Sequence, residues 1–324
     1  MMREAEITTD WQGDNVAIYE HISTFHGLPV ADFDQPSPPV GPVAWRVAVD
    51  SYDPAEPFGE ALQRFLTTVE AASVTALVIG PWGEVYEEEN SATAIEALVS
   101  AKDKLPALTG LFYGDIVMEE AEISWIQQSD VSPLFDAFPG LTELVVRGGT
   151  GLTMRPVRHN TLRSLRFEAG GLPRAVIRAV IESELPALES LQLWLGVDEY
   201  GADWRDPDLE PLLGGERFTA LRYLGLQNSD KQNHVARLAA ESTVVRRLET
   251  LDLSLGTLTD EGAEPLLGLT HLKNLDLHHH FLSDEMIERL RGALEPAGVT
   301  LNLDGQEKPH TYDNEDYFYT AAAE

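Results

Sequence analysis

The chain contains no cysteine. Disulfides and thiolate metal sites are thereby excluded, and the absence fits a reducing compartment. No run of about 18 apolar residues occurs, so no membrane span is expected. The N-terminus, MMREAEITTD, lacks the apolar stretch of a secretory signal. Together these absences make a cytoplasmic protein the expectation. Positive charge is also scarce: Lys and Arg number 23 against 54 Asp and Glu, a formal net charge of −31. Such a field keeps a protein soluble and repels phosphate backbones and anionic lipid surfaces. Neither nucleic acid nor a membrane is an expected partner, and a protein or peptide, basic by preference, is.

The usual marks of catalysis are missing too. There is no G-x-S-x-G nucleophile elbow and no G-x-x-x-x-G-K-[ST] phosphate loop. The pairs Gly148-Gly149 and Gly170-Gly171 follow strand-like segments, but without that context they read as tight turns rather than phosphate cradles. Carboxylates are so abundant that a neighbouring pair says nothing about acid–base chemistry. No catalytic residue and no cofactor is implied.

What the sequence does hold is an internal repeat. With 43% hydrophobic residues over 324 positions, the chain can bury a sizeable core. The pattern L-x-x-L-x-L, other apolar residues allowed, occurs at Leu141/Leu144/Val146, Leu162/Leu165/Phe167, Leu188/Leu191/Leu193, Leu221/Leu224/Leu226, Leu248/Leu251/Leu253 and Leu272/Leu275/Leu277. Weaker copies lie at Ala44/Val47/Val49, Val74/Leu77/Ile79 and Leu108/Leu111/Tyr113, and a partial one at Leu301/Leu303. From Leu77 to Leu301 the step averages 28 residues, within the leucine-rich-repeat range.

Alternation along x-L-x-L-x turns the leucines to one face of a strand and stacks them on the next repeat. Parallel neighbours need a long crossover, usually a helix. Helical patterns do fill the gaps: Pro57–Ala72, Asn90–Leu105, Leu172–Leu185, Thr259–Leu267 with Thr259 as cap, and Ser283–Leu294 with Ser283 as cap. The expected fold is therefore an α/β leucine-rich-repeat solenoid, a horseshoe of about ten parallel strands with helices on the convex side. Leu144, Leu165, Leu191, Leu224, Leu251 and Leu275 should form one buried column. Residues 1–42, rich in proline, read as an irregular N-terminal arm, 43–304 as the repeat domain, and 305–324 as an acidic, aromatic C-terminal tail, either disordered or docked on the last repeat.

The copies LETLDLSLGTLTDEGAEPLL (Leu248–Leu267) and LKNLDLHHHFLSDEMIERL (Leu272–Leu290) resemble the ribonuclease-inhibitor type of leucine-rich repeat. ISWIQQSD (Ile123–Asp130) and DLHHHFLSDEM (Asp276–Met286) are similar to segments of an uncharacterised bacterial family of cytoplasmic leucine-rich-repeat proteins, which lends no activity. One departure stands out. Where such repeats carry Asn or Cys, this chain has Gly149, Gly170, Gly196, Ser229, Gly256 and His280. No asparagine ladder can form, and the turns must satisfy their backbone otherwise.

Two functions are open. The first is a non-catalytic scaffold that holds a protein or peptide on the C-terminal half of the concave sheet. Early concave positions (Ala76, Val78, Gly80, Gly110, Phe112, Gly114) are small or apolar, and the next two repeats offer charges that can pair across strands, from Glu143 to Glu168. Beyond them Gln192, Trp194, Tyr223, Gln227, Asp252, Asp276 and His278 should face solvent as the partner-binding row. Asp252 and Asp276 should lie side by side, their repulsion relieved by a partner's Lys or Arg. The alternative is a metal-dependent enzyme or accessory subunit centred on Asp276 and His278, a pair that zinc could accept. Against it, His279 falls at the strand end and His280 in the usual turn position. His271 reads as a solvated turn residue. Trp125 reads as a core or interface aromatic, the core being favoured.

Overall fold

The structure, a computed structural model, describes residues 18–36 and 40–323. The expectation for residues 1–17 and 37–39 of the arm lies outside the described residues. Strand β1 (Thr24–Phe25) runs antiparallel to β2 (Leu28–Asp32). A parallel series follows: β3 (Ala44–Val47), β4 (Ala76–Ile79), β5 (Gly110–Tyr113), β6 (Glu143–Arg147), β7 (Ser164–Glu168), β8 (Ser190–Gly196), β9 (Tyr223–Ser229), β10 (Thr250–Asp252), β11 (Asn274–Asp276) and β12 (Thr300–Asn302). Their order in the sheet is their order in the chain, β1 to β12. The ten repeats give β3 to β12, and the arm adds β1 and β2. The protein is a leucine-rich-repeat solenoid of the mixed α/β class.

Most crossovers carry a helix where apolar residues recur at helical spacing: α1 (Phe58–Thr68), α2 (Glu88–Ser100), α3 (Ser132–Ala137), α4 (Arg174–Glu182), α5 (Asp206–Leu213), α6 (Gln232–Glu241), α7 (Asp260–Ala263) and α8 (Asp284–Leu294). In α4, Val176, Ile177, Val180 and Ile181 form the buried stripe. Ser283 caps α8, its hydroxyl accepting from the Met286 N–H at 3.2 Å, with Asp284 and Glu285 in the first turn. Thr259 does not cap α7; its hydroxyl accepts instead from Asn233 Nδ2 at 2.8 Å. The short repeat between β6 and β7 has no room for a helix and crosses in extended form, bridged at Asp130–Thr153.

The leucine column is in register. Leu144 pairs with Leu165, Leu165 with Leu191, Leu191 with Leu224, Leu224 with Leu251 and Leu251 with Leu275, and all six are fully buried. At the weakest copy the register is displaced by two residues: Trp45, not Val47, pairs with Leu77. An even displacement leaves each side chain on its expected face.

The turns replace the asparagine ladder piecemeal. His280 does the work of the missing asparagine: its Nε2 donates to the Leu303 carbonyl at 3.1 Å and its Nδ1 accepts from the Leu282 N–H at 3.2 Å. Gln232 reaches back to donate to the Leu226 carbonyl at 2.8 Å and accept from the Ser229 N–H at 3.2 Å. Three equivalent strand-end residues, Asn228, Leu255 and His279, take the left-handed conformation, at φ 57°, 68° and 54°.

The C-terminal tail docks on that row. After an exposed hairpin, β13 (His310–Tyr312) and β14 (Glu315–Tyr317), the chain turns back along the strand ends. His279 Nε2 donates to the Tyr319 carbonyl at 3.1 Å, and the Ala321 N–H donates to the Leu255 carbonyl at 2.8 Å. Asn228 brackets Ala322, donating to its carbonyl at 2.5 Å and accepting from its N–H at 3.1 Å. The strap reaches β7, where a Cβ on Gly170 would stand 2.5 Å from the Ala323 carbonyl. That close approach requires a glycine at position 170, and Gly171 in turn lies against the Tyr200 carbonyl. Among the described residues, no helix is long and apolar enough to cross a membrane.

Candidate functional site on the concave sheet

The two halves of the concave face differ. In the N-terminal half the arm folds onto the sheet. Phe25 packs edge-on against Phe112, ring centres 5.9 Å apart, in a small second core with Ala44, Ala76, Val78 and Val145. His26 lies over Gly110, whose missing Cβ would stand 2.7 Å from the imidazole, and it is held by Glu143 at 2.8 Å and Thr109 at 3.1 Å. The small concave residues of the early repeats are thus the floor of this cap.

Next comes a network of opposite charges. Arg147 and Glu168 face each other on β6 and β7 and pair at 2.7 Å, both buried. Asp115, fully buried, takes Arg46 Nε at 3.0 Å and His21 at 3.2 Å. Burial alone would raise the Asp115 carboxyl, but the His21 hydrogen bond and the charges of Arg147 and Arg46 hold it below the usual range. For His21, burial works downward, and the bonds to Asp115 and Glu120 prevail and raise it to about 9.

The C-terminal half holds the expected partner-binding row, and Asp252 and Asp276 do pair in register on β10 and β11. Their surroundings differ from expectation. Gln192, Trp194, Gln227 and Asp252 are buried, at 8%, 5%, 4% and 3% exposure, and are not surface contacts. Trp194 packs into the main core, and for the two glutamines the local cause is Gly225. Its missing side chain leaves room for Gln227, 2.6 Å from the position of a Cβ, and for Gln192, 3.2 Å from it, to lie across the sheet. Asp252 is enclosed by donors: Tyr223 Oη at 2.5 Å, Gln227 Nε2 at 2.9 Å, and the Ser254 N–H and hydroxyl at 3.0 and 2.6 Å. Even so, burial first and the Asp276 charge second push its carboxyl up to about 6.

Tyr223, Asp276 and His278 are the members of the row that stay partly open to solvent. Asp276 accepts from the His278 N–H and Nδ1 at 2.9 and 2.8 Å and from Asn302 Nδ2 at 3.0 Å. Burial lowers His278, but the bond to Asp276 and the charges of Asp276, Asp252 and Asp304 outweigh it and raise it. Its neighbours do not converge on it. His279 turns to the tail, His280 to the turn backbone, and exposed His271 to the Val245 carbonyl at 2.8 Å. Among the described residues no group of three or more His, Asp or Glu could hold a metal ion. Trp125, expected in the core, is exposed.

Solved structures include relatives of the chain. A crystal structure of a Bacteroides fragilis protein is 34% identical, covering 82% of this chain and 76% of its own, with a TM-score of 0.70. The chain belongs to the family of that Bacteroides fragilis protein. An internalin from Listeria monocytogenes is 15% identical over 71% of this chain and 80% of its own, but its TM-score is 0.29, too poor a superposition to establish common architecture. No protein-family model matches the chain, and no curated protein matches it.

Proposed function

We propose that the protein is a non-catalytic binding scaffold that holds a protein or peptide on the C-terminal half of its concave sheet. The observation that carries this reading is the asymmetry of the face. The arm occupies the N-terminal half through Phe25 and His26, whereas Tyr223 on β9, Asp276 on β11 and His278 just beyond it remain partly open on the other half. These three are the contact residues. Asp252, Gln227 and Ser254 form the layer beneath, and their mutual hydrogen bonds hold Tyr223 in place before a partner arrives, which lowers the cost of ordering the site. The carboxylates of Asp252, Asp276 and Asp304 favour a basic group in the partner and oppose nucleic acid or an anionic membrane. Helices after most strands are in keeping with the ribonuclease-inhibitor-like type, and a cytoplasmic setting belongs to the same reading.

The test is a quantitative pull-down from lysate of the source organism with wild type and an Asp276→Lys variant, both checked for folding. A partner retained by the wild type and lost by the variant supports the reading. Equal recovery of every partner by both contradicts it.

A further inference from the structure

A second surface lies on the opposite half of the molecule, on the edge where the strands end. The loops leaving β3, β4 and β5 carry four exposed large apolar side chains, Tyr52 at 63%, Tyr86 at 38%, Met118 at 38% and Trp125 at 61%. The loops are neighbours. The Val49 N–H donates to the Pro81 carbonyl at 2.9 Å and the Gln127 N–H to the Val85 carbonyl at 2.8 Å. Tyr52 Oη donates to the Glu119 carbonyl at 3.1 Å, beside Met118. Single exposed apolar residues are ordinary on a protein surface, but several large ones gathered on adjoining loops are the mark of an interface.

The charge around the row is one-sided. From residue 47 to residue 146 the chain has 18 Asp and Glu against three Lys and Arg, so this stretch holds −15 of the net −31. The three cations of that stretch sit elsewhere, and Arg46, Arg147 and His21, from outside it, are paired with Asp115, Glu120 and Glu168. Arg64 is on α1, paired with Glu56 at 2.5 Å, and Lys102 and Lys104 lie in the turn that leads into β5 at the opposite edge of the sheet. On the row's own loops the exposed charges among the described residues are Asp50, Asp53, Glu84, Glu87, Glu119 and Asp130. The Tyr86 phenol reports the same field, held above its usual range by loss of hydration and by Glu84, Glu87 and Tyr52.

We propose that this rim is a docking surface for a basic protein segment, whose Arg and Lys side chains stack on Tyr52, Tyr86 and Trp125 while the flanking carboxylates neutralise them. Arg suits both halves of the task, since its flat, weakly hydrated guanidinium lies on an aromatic face and forks onto carboxylates. The rim is separate from the concave site in residues, half and edge, so either can fail alone.

The experiment uses the full chain and a fluorescein-labelled deca-arginine peptide, followed by anisotropy at about 0.15 M salt, where bulk attraction is screened beyond roughly 8 Å. The Tyr52→Ala/Trp125→Ala variant keeps every charge and alters only exposed side chains. It is expected to bind at least tenfold more weakly than wild type, while a Tyr312→Ala variant, which removes an exposed aromatic from the C-terminal hairpin instead, binds as wild type does. Equal binding by wild type and the aromatic variant would mean bulk acidity alone and would overturn the proposal, as would no binding at all. Should the aromatic variant melt early, hydrogen exchange of the wild type with and without peptide decides. Protection of residues 51–54, 84–87 and 118–125 supports the rim, and peptide binding that leaves those residues unprotected rejects it.

Discussion

Asp252 and Asp276 stand opposite each other on adjacent parallel strands, one buried beneath four donated hydrogen bonds and the other slightly exposed beside His278. The buried member has its carboxyl raised to about 6, against about 3.9 in an unfolded chain. Its protonated form is therefore favoured by folding. That stabilisation is fully present below pH 4 and is lost as pH rises through 6. In Asp252→Asn, which mimics the protonated acid, the loss should vanish. The stability of the variant relative to wild type should grow by about 2–3 kcal/mol from pH 4 to pH 7, since a tenfold change in a proton-binding equilibrium is worth about 1.4 kcal/mol. Denaturant titrations at both pH values measure it, and a constant difference would refute the burial argument.

The leucine column makes a simpler prediction. Leu251 is fully buried between Leu224 and Leu275. Leu251→Ala should cost about 2–5 kcal/mol, as truncations of enclosed leucines do. Urea unfolding checks this, and a cost under about 1 kcal/mol, the range of exposed sites, would mean the column is not packed as described.

His280 offers a test of the turn chemistry. It satisfies both the Leu303 carbonyl and the Leu282 N–H. His280→Leu strands two buried backbone groups and should cost about 1–3 kcal/mol. His280→Asn restores the residue usual at this place in the repeat and should recover most of that. If Leu and Asn melt alike, the side-chain bonds are not what holds the turn.

The strap depends on Asn228. Asn228→Ala removes three hydrogen bonds to Ala169 and Ala322 and the residue best suited to a left-handed φ. Hydrogen exchange at Ala321 and Ala322 should accelerate at least tenfold while β3 to β6 are unaffected. Unchanged exchange would place the tail's stability elsewhere.

What could be read from the sequence follows from the range of the physics. The column from Leu144 to Leu275 and the helices between copies were legible because each is a local periodicity. Trp45 escapes the pattern because a tryptophan sits where the repeat has leucine. The pleat told which way Gln192, Trp194, Gln227 and Asp252 point, but not whether water reaches them. The glutamines are buried because Gly225 leaves space across the sheet and Asp252 because Tyr223 and Ser254 close over its carboxylate, whereas Trp194 packs into the main core. The seating of His26 on Gly110 joins residues 84 positions apart and has no local signature, although a glycine on a concave strand face hints that something lies against it. Trp125 departs from expectation because an apolar aromatic is more often core than surface. The acidity of the rim loops around it was the available clue.

The most direct measurement of the central claim is site-specific photo-crosslinking. A photoreactive residue replaces His278 on the concave face or exposed Glu288 on convex α8, and irradiated lysates of the source organism are compared by mass spectrometry. The account predicts a defined protein or peptide crosslinked from position 278, suppressed by Asp276→Lys, and absent from position 288. Equal capture from both positions, or capture from position 288 alone, would contradict it.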